Sequence, residues 1–236
     1  MSLKSFGAKL FAKYIASQIK SWSSRPVETQ LKVFKELVAE GRKTKFGQDH
    51  DFDTIKTFED FFKRVPIQDY EGLKSYIDKA VDGEENVLWP GKPLYFAKTS
   101  GTTSGAKYIP LTKASIPNHT NAARNAILCY IAETGNSKFV DGKMIFLQGS
   151  PKLDKKNGIY FGRLSGIVAH FIPAYLQKNR LPSWVTNSIP DWNKKIDAIV
   201  EETYNQDMTI ISGIPSWVQT YFEKLNQKTD KTISEL

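Results

Sequence analysis

The sequence predicts an α/β protein in which a helical region, residues 1–93, packs on a partial, mostly parallel sheet formed within residues 94–236. Two observations lead to this fold class. Apolar residues recur at helical spacing before residue 94, whereas short apolar segments alternate with helical ones after it. Between the two patterns, residues 89–93 contain two prolines and a glycine, which mark a turn. We therefore expect the boundary between the two regions at residue 93.

The first helix is expected over residues 3–22, where Phe6, Leu10 and Tyr14 follow one side and lysines occupy other positions. Such a helix can lie on a membrane surface, or it can pack its apolar stripe on the domain and leave its lysines in water. We favour the second interpretation because it is the common arrangement in globular proteins.

Three further helices follow in the lead-in. Residues 27–40 have helical apolar spacing, and Gly41 is a natural stop. Thr57, with Asp60 three positions later, resembles a capping box at the start of a short helix. Another helix is expected over residues 70–81.

The second region is expected to alternate strands and helices. Pro110 disfavours a helix over residues 108–111. Thr112 would cap the next helix, whose start Pro117 can delay, and Pro215 suits the first turn of the last helix. The strands are predicted at 94–97, 108–111, 143–147, 159–162 and 208–211, the helices at 112–133, 164–178 (interrupted at Pro173), 191–205 and from 215 onward, and a turn at 212–213.

Composition limits the class of protein. The 236 residues are 40% hydrophobic and 12% aromatic, enough for a sizeable core. The net charge of +8 is spread along the chain with no run of five like charges, so we expect no nucleic-acid partner. No stretch approaches 18 consecutive apolar residues, which predicts no membrane partner. The single cysteine, Cys129, suits a reducing cytoplasm, and the oligomeric state is not indicated.

The segment between the first two strands has the composition of a phosphate-binding loop. Gly101 and Gly105 permit close backbone approach and positive φ, and Lys107 supplies a positive charge. Five hydroxyl side chains add donors: Thr99, Ser100, Thr102, Thr103 and Ser104. The spacing is not that of a Walker A loop, because an extended segment follows Lys107 where that motif requires a helix. A Rossmann glycine pattern is also absent.

The series Thr99-Ser100-Gly101-Thr102-Thr103 with Lys107 resembles the first motif of the adenylate-forming superfamily of acyl-CoA synthetases and luciferases. Ser104 and Tyr108 stand where that motif usually has glycine, and this form resembles the acyl-acid amido synthetases of the auxin-responsive promoter family, bacterial members included. Similar segments at 65–67 and 212–217 extend the resemblance, which implies the luciferase-like adenylating N-terminal domain.

The resemblance implies a reaction. ATP, with Mg²⁺, would activate a small carboxylic acid as an acyl-adenylate, and an amine such as an amino acid would then displace AMP. The resemblance covers about the first half of the family's usual length, and the later nucleotide motifs and the Mg²⁺-coordinating acidic residue have no counterpart here. We therefore expect a truncated chain that does not complete adenylation alone. The alternatives are an acyl-CoA-forming ligase and a non-catalytic nucleotide-binding remnant.

Three residues are weaker candidates for contact with the acid: Arg124 and His119 on the helix after the loop, and Gly213 at the end of a strand. An exposed helical residue is the ordinary alternative for Arg124 and His119, and a plain turn for Gly213. The three histidines are far apart and lack metal-ligand spacing, so no metal site is expected within this chain.

Overall fold

The computed structural model describes residues 2–99, 105–172, 177–232 and 235. The α/β class is confirmed. Its helices and strands are α1 Leu3–Ser23, α2 Pro26–Gly41, α3 Lys45–Asp49, α4 Phe58–Arg64, α5 Tyr70–Val81, β1 Tyr95–Lys98, β2 Tyr108–Leu111, α6 Ile116–Thr134, β3 Lys143–Leu147, β4 Asp154–Lys156, β5 Ile159–Gly162, α7 Leu164–Ala169, β6 Arg180–Leu181, α8 Trp184–Asn187, α9 Trp192–Thr203, β7 Met208–Gly213 and α10 Pro215–Thr229.

By its internal contacts the chain forms two compact units. The loop unit comprises Ser17–His119 and Leu153–Gly162, and the second unit comprises Met1–Ala16, Thr120–Lys152 and Arg163–Leu236. The predicted boundary at residue 93 follows a different criterion, since it separates helices from strands along the chain. In the described part of the chain, no helix is both long and apolar enough to cross a membrane.

The loop unit contains a four-stranded sheet in the order β2-β1-β5-β4. Strand β1 pairs in parallel with β5 and antiparallel with β2. Helix α5 packs on this sheet, where Ile77 and Ala80 join Phe96 and Ile159 in one buried cluster. A helix of the predicted lead-in therefore covers the strands that carry the phosphate-loop sequence.

The second unit contains a three-stranded parallel sheet in the order β6-β3-β7. Ile145 and Leu147 of β3 pack against Ile196 and Ile199 of α9 and Tyr221 of α10. The alternation of buried residues along β3 places this apolar face under the two helices.

Two predicted boundaries are wrong. Helix α6 begins at Ile116 and not at Thr112. The Thr112 amide donates to the Ser115 hydroxyl at 2.9 Å, the Ser115 amide donates to Thr112 Oγ1 at 3.2 Å, and the Ile116 amide donates to the Thr112 carbonyl at 3.2 Å. Thr112 thus caps the turn before α6, and Pro117, which has no amide hydrogen, interrupts the helical hydrogen bonds between that turn and the helix. Ser212 and Gly213 are not a turn, since strand β7 continues through Gly213.

The favoured packing of the first helix is also wrong. Helix α1 buries the small residues Ser5 and Ala12, together with Ile15. Phe6 and Leu10, which were expected to face the domain, are 50% and 56% exposed. Small side chains allow the backbone of α1 to lie close to the residues that it packs against. The face of α1 that makes this contact is therefore the buried one.

The capping box of α4 is present as predicted and can be tested by mutation. Thr57 Oγ1 accepts a hydrogen bond from the Asp60 amide at 3.1 Å, and the Asp60 carboxylate accepts one from the Thr57 amide at 3.0 Å. A third bond, from the Lys56 amide, is the largest of the hydrogen bonds that lower the pKa of Asp60. We expect Thr57→Ala to lower the free energy of unfolding by about 1 kcal/mol in urea denaturation, and Thr57→Ser to retain most of it. Equal losses in both variants would contradict this role.

Candidate functional site

The predicted phosphate loop connects two antiparallel strands. Lys98 of β1 faces Tyr108 of β2 across the ladder. Beyond this pair, the Thr99 amide donates to the Lys107 carbonyl at 3.0 Å, and the Lys107 amide donates to Thr99 Oγ1 at 3.3 Å. Thr99 and Lys107 thus close the base of the loop. The strand after Lys107 confirms the predicted strand–loop–strand arrangement, which differs from that of a Walker A loop.

The loop itself is described only at its ends. Ser100, Gly101, Thr102, Thr103 and Ser104 lie outside the described residues. Gly105 has φ +84°, a conformation that is strained for residues with a Cβ, and a Cβ built there would meet no atom of the described residues within 4 Å. The backbone angle therefore favours glycine at this position.

The two lysines beside the loop have different partners. Lys98 Nζ forms an ion pair with Asp154 Oδ2 at 2.9 Å. Lys107 forms no ion pair within the ranges that the structure describes, and its Nζ lies 5.2 Å from the centroid of the Tyr70 ring. Of these two lysines, Lys107 is therefore the one that no carboxylate of the described residues contacts at ion-pair distance.

A groove of about 520 Å³ adjoins the end of the loop. Its walls are about half polar and carry both signs of charge: Asp69, Tyr70, Glu71, Lys74 and Asp78 from the α5 region, and Ala106, Lys107 and Tyr108 from the loop side. Asp78 accepts a hydrogen bond from Lys74 at 2.5 Å, and this bond raises the pKa of Lys74. Because Lys74 is paired, Lys107 is the cation of this groove that is available to an anion.

Tyr70 was not among the predicted site residues, yet it contacts the end of the loop. Its Oη accepts a hydrogen bond from the Tyr108 amide at 2.9 Å, and its ring lies beneath the Lys107 ammonium group. The two tyrosines are 38 positions apart. No local pattern in the sequence signals this contact, because it depends on how α5 packs on the sheet.

The structure gives Arg124 and His119 exposed positions on α6. Arg124 donates to Asn125 Oδ1 at 3.1 and 2.9 Å, and its guanidinium carbon lies 5.6 Å from the Phe11 ring centroid. These contacts are those of an ordinary surface arginine. The proposed substrate role of both residues therefore remains a prediction.

Gly213 lies at the carboxyl end of β7, where it pairs with Leu147 of β3. A Cβ at this glycine would lie 2.8 Å from the Leu147 Cβ, so glycine permits close packing of the two strand ends. The carboxyl edge of a parallel sheet is where ligands commonly bind in α/β proteins. Gly213 therefore keeps a position suited to its predicted role, although not in a turn.

A buried lysine at the same edge was missed by the sequence analysis. Lys195 of α9 is 4% exposed, and its Nζ donates to the carbonyl of Gln148, the residue after β3, at 2.9 Å. Burial, and secondarily the nearby charge of Arg163, lower the pKa of Lys195 to about 8. The adjacent Lys194 is exposed, so only packing distinguishes the two lysines.

Among the residues whose placement is described, no group of three or more His, Cys, Asp or Glu side chains could hold a metal ion. Mg²⁺ in nucleotide sites is held by one or two carboxylates together with phosphate oxygens and water, and no residue of this chain is assigned as a ligand of the Mg²⁺ that the resemblance implies.

Comparison with known proteins identifies relatives of the chain. The model of the GH3 family N-terminal domain matches residues 15–209. The 4-substituted benzoates-glutamate ligase GH3.12 of Arabidopsis thaliana is 31% identical over 105 residues, which are 44% of this chain and 18% of that protein. The indole-3-acetic acid-amido synthetase GH3.15 of the same plant is 43% identical over 56 residues, 23% of this chain and 9% of that protein.

Solved structures share the fold. The GH3.15 acyl acid amido synthetase in complex with 2,4-DB superposes with a TM-score of 0.72 at 17% identity, covering 92% of this chain and 38% of that one. A second GH3.15 structure gives a TM-score of 0.68 at 15% identity, with 92% and 40% covered. The chain thus spans about two fifths of the solved relatives. Since the family model matches most of the chain and these structures share its fold, the chain belongs to the GH3 family, the auxin-responsive family that its loop motif resembles.

Proposed function

We propose that this chain carries the ATP-phosphate loop of an AMP-forming acyl acid amido synthetase. The observation that carries the proposal is the position of Lys107, which has no ion pair among the described residues, at the base of a glycine-containing hairpin loop. Membership of the GH3 family supports the reaction class, because one curated relative is named a benzoates-glutamate ligase and the other an indole-3-acetic acid-amido synthetase. The acid and the amine acceptor of this chain are not specified by these observations.

In the proposed reaction, a carboxylate oxygen of the acid attacks the α-phosphorus of ATP. The bond to the β-phosphate breaks, pyrophosphate leaves, and an acyl-adenylate forms. The nitrogen of an amine then attacks the acyl carbonyl, AMP leaves with the bonding electrons, and the amine nitrogen loses a proton to give an amide. Negative charge grows on the departing pyrophosphate, so donors fixed around it accelerate the first step without a side-chain nucleophile.

We assign that stabilisation to the loop residues Thr99, Ser100, Gly101, Thr102, Thr103, Ser104, Gly105 and Lys107. In this assignment, backbone amides and hydroxyls contact the β- and γ-phosphates, and the Lys107 ammonium group binds a phosphate oxygen. Arg124, His119 and Gly213 stay candidates for the acid site. We place the activity in the cytoplasm, where ATP is abundant and Cys129 remains a free thiol.

Nucleotide binding tests the loop directly. We expect Lys107→Ala to weaken ATP binding by roughly 10- to 100-fold in isothermal titration calorimetry, because it removes a charge-assisted contact with phosphate. Lys98→Ala is the matched control: it removes the same charge at the other end of the loop, where Asp154 already neutralises it. Its effect should stay below about threefold. Equal effects of the two substitutions, or no ATP binding by the wild-type chain, would remove the assignment.

Chemistry is tested separately by exchange of labelled pyrophosphate into ATP in the presence of a panel of carboxylic acids. We expect ATP binding without robust exchange from this chain alone. Rapid exchange would show that the chain completes adenylation by itself. For a complete protein, an amide product with amino acids supports the amido synthetase, whereas a thioester with coenzyme A supports the alternative ligase.

A further inference from the structure

The backbone of Tyr70 lies at the capped start of helix α5, in the loop unit. Tyr70 is the first residue of α5, whose N-cap Asp69 accepts a hydrogen bond from the Gly72 amide at 2.9 Å. About two and three turns further along, Ile77 and Ala80 are buried in the same cluster as Phe96 of β1. The capped and packed helix therefore fixes the backbone of Tyr70 relative to the sheet.

The first contact of Tyr70 is with the backbone at the end of the loop. Strand β2 lies at the edge of its sheet, and an edge strand leaves alternate amides without a partner in the ladder. The Tyr108 amide is in that position and donates to Tyr70 Oη at 2.9 Å in a half-buried environment. The phenol thus holds the residue that follows Lys107.

The second contact is with the Lys107 side chain. Its Nζ lies 5.2 Å from the Tyr70 ring centroid, within the range of a cation–π interaction. One side chain therefore contacts two successive residues: the backbone of Tyr108 and the ammonium group of Lys107. Both contacts lie on the wall of the groove beside the loop.

We propose that Tyr70 is a positioning residue for Lys107. Its hydroxyl fixes the backbone from which the lysine side chain extends, and its ring holds the ammonium group beside the loop, ready for a phosphate oxygen. Tyr70 itself need not touch the nucleotide. This inference rests on the proposed phosphate-binding function of the loop.

Positioning affects affinity because a free lysine side chain samples many rotamers, and binding must restrict them. A lysine already held close to its bound position loses less freedom when phosphate arrives, so more of the contact energy appears as affinity. The hydrogen bond to Tyr108 acts in the same direction, since it removes motion of the backbone at the end of the loop.

Two variants separate this role from general stability. Tyr70→Phe removes the hydroxyl and keeps the ring. Tyr76→Phe is the matched control on the same helix, because Tyr76 Oη donates to Asp49 Oδ2 at the same distance, 2.9 Å, away from the loop. We expect Tyr70→Phe to accelerate hydrogen exchange of the Tyr108 amide about tenfold and to weaken ATP binding by about two- to tenfold. Tyr76→Phe should change neither quantity.

Coupling to Lys107 is the decisive measurement. If Tyr70 acts through the lysine, Tyr70→Phe should have little further effect on ATP affinity in a chain that already carries Lys107→Ala. A purely structural role would instead lower affinity by the same factor in both backgrounds.

The possible failures are distinguishable. A wild-type chain that does not bind ATP overturns the proposed function and, with it, this inference. If the wild type binds ATP and Lys107→Ala weakens it, the proposed function stands. In that case, unchanged affinity in Tyr70→Phe, or additive effects with Lys107→Ala, overturns the positioning role, whatever the exchange rate of the Tyr108 amide.

Discussion

Replacing Phe96 with alanine is expected to lower the free energy of unfolding by about 3–5 kcal/mol. Phe96 is 0% exposed at the centre of the core of the loop unit. Its ring stacks on Phe161 at a centroid distance of 5.4 Å and meets the Tyr108 ring edge-on at 6.3 Å. The substitution leaves a cavity between strands that flank the loop, and the neighbouring rings cannot fill it without leaving their own contacts.

Urea denaturation followed by circular dichroism measures this effect. Ile109→Ala is the control, because Ile109 lies on the neighbouring strand β2 and is 44% exposed. We expect that control to cost less than about 1 kcal/mol. Comparable losses in the two variants would contradict the assignment of Phe96 to the core.

Stability is expected to rise by about 1–2 kcal/mol between pH 8 and pH 9.5 because of Lys195. The pKa of this lysine is about 8 in the folded chain, against an ordinary 10.5. Between these values the unfolded chain binds a proton that the folded chain does not, so raising the pH favours folding. Below pH 8 the cost of burying the charged lysine is present in full.

Lys195→Met should remove most of this rise, and Lys194→Met, on the same helix but exposed, should leave it intact. The measurement is the urea midpoint of each variant at several pH values. Burial raises the pKa of Tyr221, so its ionisation lies above the chosen window. A wild-type midpoint that is flat with pH, or a rise that persists in Lys195→Met, would show that Lys195 is not buried as described.

Local features of the fold were predictable because they depend on residues that are close in sequence. The capping box of Thr57 and Asp60 and the helix Tyr70–Val81 form as predicted. Strand β2 was also predicted, since Pro110 excludes a helix there and the neighbouring residues are apolar. The start of α6 was predicted too early, because the turn that Thr112 caps is not continued at Pro117, which has no amide hydrogen to donate.

The orientation of whole elements was less predictable. Apolar spacing in α1 indicated that Phe6 and Leu10 face the domain, but Ser5 and Ala12 do so. Spacing shows that a helix has distinct faces, and it does not show which face finds a complementary surface. Prediction of the candidate site has the same limit. The loop could be predicted from the sequence, whereas the side chains that contact it could not.

The sequence by itself determined the α/β class, the loop between two strands from Thr99 to Lys107 and the resemblance to the auxin-responsive promoter family, because each depends on residue types in short, continuous segments. Only the tertiary structure decided that Asp154 neutralises Lys98, that Tyr70 contacts both Lys107 and Tyr108, and that Lys195 is buried. The physical reason is that these contacts join residues distant along the chain, whose meeting depends on the packing of complete helices on complete sheets.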